Sequence, residues 1–556
     1  MTPTAAQVYE RRWWILAVLC LSLLIVFVGN SSLNVAIPTL SKDLHASESQ
    51  LQWVIAAYSL VFAGLLFTAG ALGDRFGRKG ALQLGLVVYV CACLFAASSH
   101  SMGELIVARA TMGFGAAFIM PSTLSILVNV FPPHERTKAI AIWAGVVGAA
   151  GAVGPVSTGL LLSRFWYGSV FLVNVPIIAA ALVAGWFLLP KSRDPLEADI
   201  DPFGAILSIV GIVALVYGLI EAPGHGWVSG PTLVAFGVSA VVLVTFVLWE
   251  LHTDTPMLDI RFFRNPAFST GTGGMILIFM AMYGLVFLLT QYLQLILGFS
   301  PLGTALRLLP MAAIMIIVAP LTPRLSARFG ANKTVAAGML LAALSMLLFR
   351  LTTPHTPYIA VAGMIACLNA GFALSMSPMT AAIMSAVPSR RAGAGSAMND
   401  ASRELGAALG IAVMGSIAAS QFTNRVEPLT HGLSPALQDR ATASIAGAIA
   451  VADSIGAKAG AALHAGANSA FLDGMHLSVT IGAVLCIISA WLVTRHLPRV
   501  LSHEGAMRGP IEAMEDVAAL GIAGVPPIFA DERFPGDAVP DVVEGVPISG
   551  SGRQEL

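Results

Sequence analysis

The sequence predicts an all-α integral membrane protein with fourteen transmembrane helices, and three observations lead there. Hydrophobic residues make up 56% of the 556-residue chain and charged residues 11%, against about 25% charged in soluble domains; such a chain cannot cover a water-facing surface. Long apolar runs recur along it, each near the roughly 20 residues a helix needs to cross hydrocarbon. The charges gather in short stretches between runs, as in "GALGDRFGRKGAL" at 70–82. A backbone in lipid must pair every N–H and C=O internally, so the runs are helices.

In chain order the spans fall near 14–37, 51–72, 80–98, 104–128, 138–162, 168–190, 204–221, 231–250, 268–290, 301–322, 334–351, 356–384, 397–420 and 471–494. The first run exceeds the 7–15 or so apolar residues of a cleaved signal peptide and is read as a retained span. With residues 1–13 cytoplasmic, alternate loops hold Arg11 and Arg12; Arg75, Arg78 and Lys79; Arg136 and Lys138; Lys191 and Arg193; Arg261 and Arg264; Arg324, Arg328 and Lys333; Arg390 and Arg391. The short loops opposite hold only Lys42, Arg164 and Arg350. Cations stay on the cytoplasmic side, so both termini are expected inside, in a plasma (inner) membrane. Residues 421–470 are read as a long extracytoplasmic loop, and 495–556, rich in Pro, Gly, Asp and Glu, as a disordered cytoplasmic tail.

A formal net charge of zero argues against nucleic acid as a partner. The five cysteines lie in apolar runs with no zinc-like spacing, so neither a disulfide framework nor a metal site is expected. No Ser/His/Asp arrangement or phosphate-binding Gly-rich loop stands out, so neither catalysis nor ATP as an energy source is expected.

An internal echo organises the spans. "LGDRFGRK" (72–79) resembles "LSARFGANK" (325–333), and "MPSTLSILVNVFPPHER" (120–136) resembles "MSPMTAAIMSAVPSRR" (376–391). The order implies two six-helix bundles, 14–190 and 268–494, with two inserted helices over 204–250. Parallel halves of this kind hold a substrate cavity at their interface near the bilayer midplane.

These residues carry a family resemblance over about 14–494. "GALGDRFGRKGAL" is similar to the signature loop of the major facilitator superfamily. Arg109 in "ARATMGFGAAFIMP" looks like its fourth-helix arginine motif, with Gly113, and "GAVGPVSTGLLL" (151–162) resembles its antiporter motif, with Thr158 where a glycine is usual. "NVAIP", "FLVNVP" and "QYLQLILGFSPLGTALRLLP" resemble the fourteen-helix drug:proton antiporters of the EmrB/QacA type. The resemblance implies a conformational latch of Gly70, Asp74, Arg75, Gly77 and Arg78, in which Asp74 holds the halves together; by proximity alone Asp74 can instead pair with Arg78.

Chemistry adds weight to particular positions. An arginine at helix centre costs about 2.5–3.5 kcal/mol to insert, so Arg109 faces a bundle interior or a wet cavity. Gly151, Gly154 and Gly159 permit close helix approach, and Pro155 removes one helical hydrogen bond. Asp400 and Glu404 lie one turn apart on one face, beside Arg403, and are the candidate proton-coupling residues. The resemblance implies an acid in the first span where this sequence has Gly29, so Arg109 is expected to lack an acidic neighbour. Candidate cavity liners are Asn30, Asn34, Tyr58, Met112, Phe118, Tyr283, Gln291 and Gln294, Met and aromatics adapting to varied apolar ligands.

The resulting expectation is a monomeric antiporter with no cofactor, driven by the proton gradient, whose partners are a small-molecule substrate, protons and the lipid bilayer. It exports amphipathic molecules or drugs by alternating access. Two other readings stand beside it: an exporter of one endogenous metabolite, lipid or siderophore without strict proton exchange, and a non-transporting receptor or scaffold.

Overall fold

The computed structural model describes residues 5–190, 192, 201–388 and 392–499. Lys191, Arg193, Arg390, Arg391 and all but the first few residues of the expected disordered tail lie outside the described residues. Fourteen described helices are long and apolar enough to cross a membrane: α1 Val8–Asp43, α2 Glu48–Phe76, α3 Arg78–Ala97, α4 Met102–Val130, α5 His134–Leu162, α6 Ser169–Leu188, α7 Pro202–His225, α8 Gly230–His252, α9 Pro266–Ile296, α10 Pro301–Phe329, α11 Ala331–Phe349, α12 Tyr358–Ser385, α13 Ala394–Thr430 and α14 Ala457–His496. No described residue is in a strand.

Several helices start on a side-chain cap, which satisfies N–H groups that the helix itself leaves unpaired. Ser47 and Gln50 form a reciprocal capping box at α2. Ser101 caps α4, Asp201 caps α7, Asn265 caps α9 and Ser300 caps α10. Helices also run past the apolar stretches that announce them. The segment read as a loop over 421–470 is largely helical: α13 runs to Thr430, short helices cover Pro435–Ala443 and Ile445–Ser454, and α14 begins at Ala457. Likewise α14 continues to His496, past the boundary at 495. Hydropathy marks only the length in hydrocarbon, whereas the alanine-rich flanks favour helix by propensity.

The echo in the sequence corresponds to an echo in three dimensions. Each "RFG" ends a helix at a one-residue turn, Gly77 (φ 121°) and Gly330 (φ 93°), a backbone region open to glycine at no steric cost. The next N–H is capped the same way in both places: Arg78 N–H donates to the Ser192 carbonyl after α6, and Ala331 N–H to the Arg499 carbonyl after α14, each at 3.0 Å. Within the first bundle α1 packs on α4, α5 and α6, α4 on α2 and α3, and α3 on α6; α9 to α14 repeat each of these pairings in the same order.

Two seams join the bundles and exchange under that repeat: α2 with α13, and α5 with α10. The inserted helices α7 and α8 pack on each other, and α7 also lies against both α2 and α13. Ala56 and Leu60 of α2, Ala408 and Ala412 of α13, and Val216 and Ile220 of α7 form one buried cluster there.

The α5–α10 seam is tightest toward one end, here termed the His45 face; the opposite end is the Gly77 face. A Cβ added at Gly159 would stand 2.7 Å from the Leu302 Cα and 2.9 Å from the Pro301 carbonyl oxygen, so α5 and α10 cross backbone to backbone. Gly148 and Gly145 continue that face of α5 toward the Gly77 face, yet a Cβ at either would meet nothing within 4 Å. On α10, Ile316 and Ile317 are exposed while Ala305, at the crossing, is buried. The two helices touch at the His45 face and part toward the other.

Gly159→Ala is therefore expected to destabilise the closed seam by about 1–3 kcal/mol through overpacking, while Gly148→Ala stays within about 0.5 kcal/mol of the parent. Thermal melting of the two purified variants, with thiol-labelling of a cysteine placed at Leu302, checks both.

Candidate functional site

Arg109 is fully buried on α4 and is held by groups of α1 and α2. Its Nε donates to the Val54 carbonyl of α2 (3.1 Å) and Nη1 to the Gly29 carbonyl of α1 (3.3 Å). The guanidinium lies over the Tyr58 ring, 4.4 Å from its centre, and Nη2 has no hydrogen-bond partner. Gly113, one turn along α4, makes this possible: a side chain there would run into the Tyr58 backbone, which must come close for Val54 and Tyr58 to reach the guanidinium.

Gly29 has a steric reason of its own. A Cβ at that position would run into the Tyr89 hydroxyl, which donates to the Ile25 carbonyl at 3.4 Å. Tyr89 from α3 therefore fills the space that a side chain on α1 would need, and Arg109 takes the Gly29 carbonyl instead of a carboxylate on α1.

An acid does come within electrostatic reach of Arg109, but from the other bundle. Glu404 on α13 is buried, faces Ser59 of α2 and acts on both Arg109 and Tyr58. Its Oε2 has no hydrogen-bond partner. The expectation that Arg109 has no acidic neighbour holds for its own bundle only; sequence distance hid Glu404. Asp400, one turn earlier, is different. It pairs with Arg403 at 3.4 Å and accepts from Asn399 at 3.2 Å, and Asn399 accepts in turn from Thr380 at 3.0 Å. Two acids that look alike in sequence are thus one matched and one open.

The remaining candidates divide by place. Asp74 and Arg75 lie in the last turn of α2, not in a loop, and Asp74 accepts from Arg78 across the Gly77 turn at 2.7 Å; in this conformation that contact stays inside one bundle. Gly70 sits against Pro121 of α4. In α5, which carries Pro155 internally, Gly154 packs against Ser31 and its carbonyl accepts from Ser32 at 3.3 Å, Gly159 meets α10, and a Cβ at Gly151 would meet open space. Asn30 and Asn34 are buried with unpartnered Oδ1 atoms. Met112 and Phe118 lie in the first bundle's core, and Tyr283 stacks on Phe279 at 6.0 Å. Gln291 and Gln294 are tied into contacts between bundles, to Glu48 (2.8 Å) and to the Val35 carbonyl (2.9 Å).

Sequence reading missed Tyr89, Gln52 and Glu48. Gln52 accepts from Ser416 of α13 at 3.1 Å. An acid in a first helical turn, such as Glu48, looks like ordinary helix-dipole compensation, so no signal short of tertiary contact marks it. Among the described residues, no group of three His, Cys, Asp or Glu could hold a metal ion, and the five cysteines are unbonded.

Comparison with known proteins decides the family. The Major Facilitator Superfamily profile matches residues 19–411. The chain belongs to the Major Facilitator Superfamily. It is 34% identical over 493 residues to the multidrug efflux pump LfrA of Mycolicibacterium smegmatis, covering 88% of this chain and 97% of that protein. It is 31% identical to the tetracenomycin C resistance and export protein of Streptomyces glaucescens, covering 88% and 92%, and 34% identical to the methyl viologen resistance protein SmvA of Salmonella typhimurium, covering 83% and 93%. Among solved structures, the superfamily fold is shared with a bacterial homologue of the human lysosomal transporter Spinster (TM-score 0.63, 19% identity, 87% of this chain and 97% of that one). The fourteen-helix fold of this superfamily member, read first from composition and motif, is thereby established.

Within the superfamily frame, Gly29 can be tested directly. Gly29→Ala should cost about 1–3 kcal/mol by overpacking against the Tyr89 hydroxyl. Adding Tyr89→Phe should restore most of the loss, since the remaining ring carbon would lie at an ordinary 3.5 Å. Melting temperatures of the two single variants and the double variant, read as a cycle, give the coupling.

Proposed function

We propose that this chain exports amphipathic small molecules, drugs among them, across the plasma (inner) membrane in exchange for protons, by alternating access, with both termini cytoplasmic. The observation that carries the proton-coupled reading is Glu404: a buried acid on a seam between the bundles, one oxygen unpartnered, within reach of a buried arginine on the opposite bundle. A carboxyl group so placed binds and releases a proton with a change in the charge facing Arg109. The export reading is supported by relatives whose names are multidrug efflux pump, resistance and export protein, and methyl viologen resistance protein.

The cycle needs two bundles that exchange which end is closed. Two seams related by the repeat, touching at the His45 face and parted between α5 and α10 at the other, suit such a rocking motion. The His45 face is assigned outward by the cation distribution, so this conformation opens toward the cytoplasm. One proton falling through 100 mV supplies about 2.3 kcal/mol, enough for a gradient of roughly 50-fold in a neutral solute.

Glu404→Gln is expected to abolish uphill accumulation of methyl viologen or a lipophilic dye in energised inverted vesicles while leaving binding measurable. Asp400→Asn, whose partner charge Arg403 is adjacent, should lower it less. Accumulation that survives a proton uncoupler would remove the exchange and favour the alternative of export without strict proton coupling; accumulation unchanged in Glu404→Gln would remove that residue's role alone.

A further inference from the structure

Glu48, Gln52 and Ser59 lie on one stripe of α2, at i, i+4 and i+11, and that stripe faces α13. Glu48 stands at the His45 end and Glu404 faces Ser59 farther in. Along this seam the Ser59 hydroxyl and the Glu404 carboxyl turn toward each other, while Gln52 Nε2 is buried with no hydrogen-bond partner. Native structures rarely leave such atoms unsatisfied, and water is their usual partner. Between Gln52 and Ser59 the seam is lined by Ala56 of α2 with Ala408 and Ala412 of α13, a dry stretch of about 10 Å at the helical rise.

Glu48 itself has a setting that helix capping does not explain. It is 9% exposed, and Gln291 Nε2 of the other bundle donates to it at 2.8 Å. Beside it lies a cavity of about 20 Å³ lined by Glu48, Phe422, Thr423, Thr442, Ser444 and Phe471. One water needs about 10–15 Å³ and two or more polar partners. The groups that line this cavity with Glu48 or bond to it are uncharged, among them Gln291 on α9, Thr423 on α13, Thr442 and Ser444 on the connecting segment, and Phe471 on α14. His45, close by in sequence, turns to Arg440 at 3.3 Å. Among the described residues, no cation pairs with this buried carboxyl group to offset its desolvation.

We propose that Glu48 is a proton-carrying site at the mouth of the α2–α13 seam, taking protons from the His45 face for delivery toward Glu404. The inference rests on the proton-coupled reading above and adds an entry point to it. Uptake converts the carboxylate and a hydronium ion in the cavity to a carboxylic acid and water; release to water beside Gln52 reverses this. The alanine stretch keeps the two acids from exchanging freely while the seam is closed, and so prevents a proton leak without cargo.

Two measurements on the full chain test the proposal. The first needs no substrate: a hydrophobic carbodiimide attacks protonated carboxyl groups, so mass spectrometry should find an adduct on Glu48 that increases as the pH falls. No adduct on Glu48 at any pH overturns the proposal. The second uses Glu48→Gln, whose amide oxygen can still accept from Gln291 and keep the seam closed. In sealed proteoliposomes the variant should lose methyl viologen-evoked proton movement yet retain methyl viologen counterflow, which reports folding. Proton movement equal to wild type overturns the role of Glu48 and leaves the export reading standing; proton silence in the wild type overturns the proton-coupled reading on which it rests.

Discussion

The guanidinium of Arg109 lies with no carboxylate in contact, in a part of the chain surrounded by hydrocarbon, and the first bundle is arranged to hold it there. Hydrocarbon supplies no hydrogen-bond partner, so carbonyls of α1 and α2 and the face of Tyr58 serve instead. Gly113 lets the α2 backbone come close enough, and the absence of a side chain at Gly29 leaves room for the Tyr89 hydroxyl. Each small residue is set by the size of what must approach it. The charge is thereby kept inside without being neutralised, and it remains available to a carboxyl group on the opposite bundle.

That carboxyl group belongs to a seam with unusual internal chemistry. Most polar atoms along these helices are paired; Ser22, Thr111, Ser402 and Thr494 donate to carbonyls one turn back on their own helices. The α2–α13 seam adds polar groups that meet across the bundles, Gln52 with Ser416 and Ser59 with Glu404. Small residues let the bundles approach there: a Cβ added at Gly415 would stand 2.8 Å from the Gln52 side chain. A packed, small-residue contact with polar groups at its ends can part and re-form with little side-chain rearrangement, which a rocking interface requires.

The repeat was legible because its mechanism is local. "RFG" twice places a glycine where the chain reverses in one residue, and positive φ demands glycine whatever surrounds it. The charges in that motif were harder to read. Asp74 is bound to Arg78 in this conformation, and a local pair four residues apart on the chain is written identically whether or not it also serves between bundles. The long segment after α13 was misread as a loop because hydropathy falls where hydrocarbon ends, not where a helix ends; Pro435–Ala443 and Ile445–Ser454 are helices without being spans.

What the sequence alone determined is what depends on composition and short range: helices across a membrane, their number, two related bundles and an arginine that must lie inside. These follow from the cost of exposing polar groups to lipid, a cost each segment meets by itself. Only the tertiary structure decided which acid comes within electrostatic reach of Arg109, that Tyr89 occupies the space beside Gly29, and that Gln291 and Gln294 bridge the bundles, Gln291 through the buried Glu48. Those outcomes depend on contacts between residues far apart in the chain, and side-chain chemistry without distance does not select among possible partners.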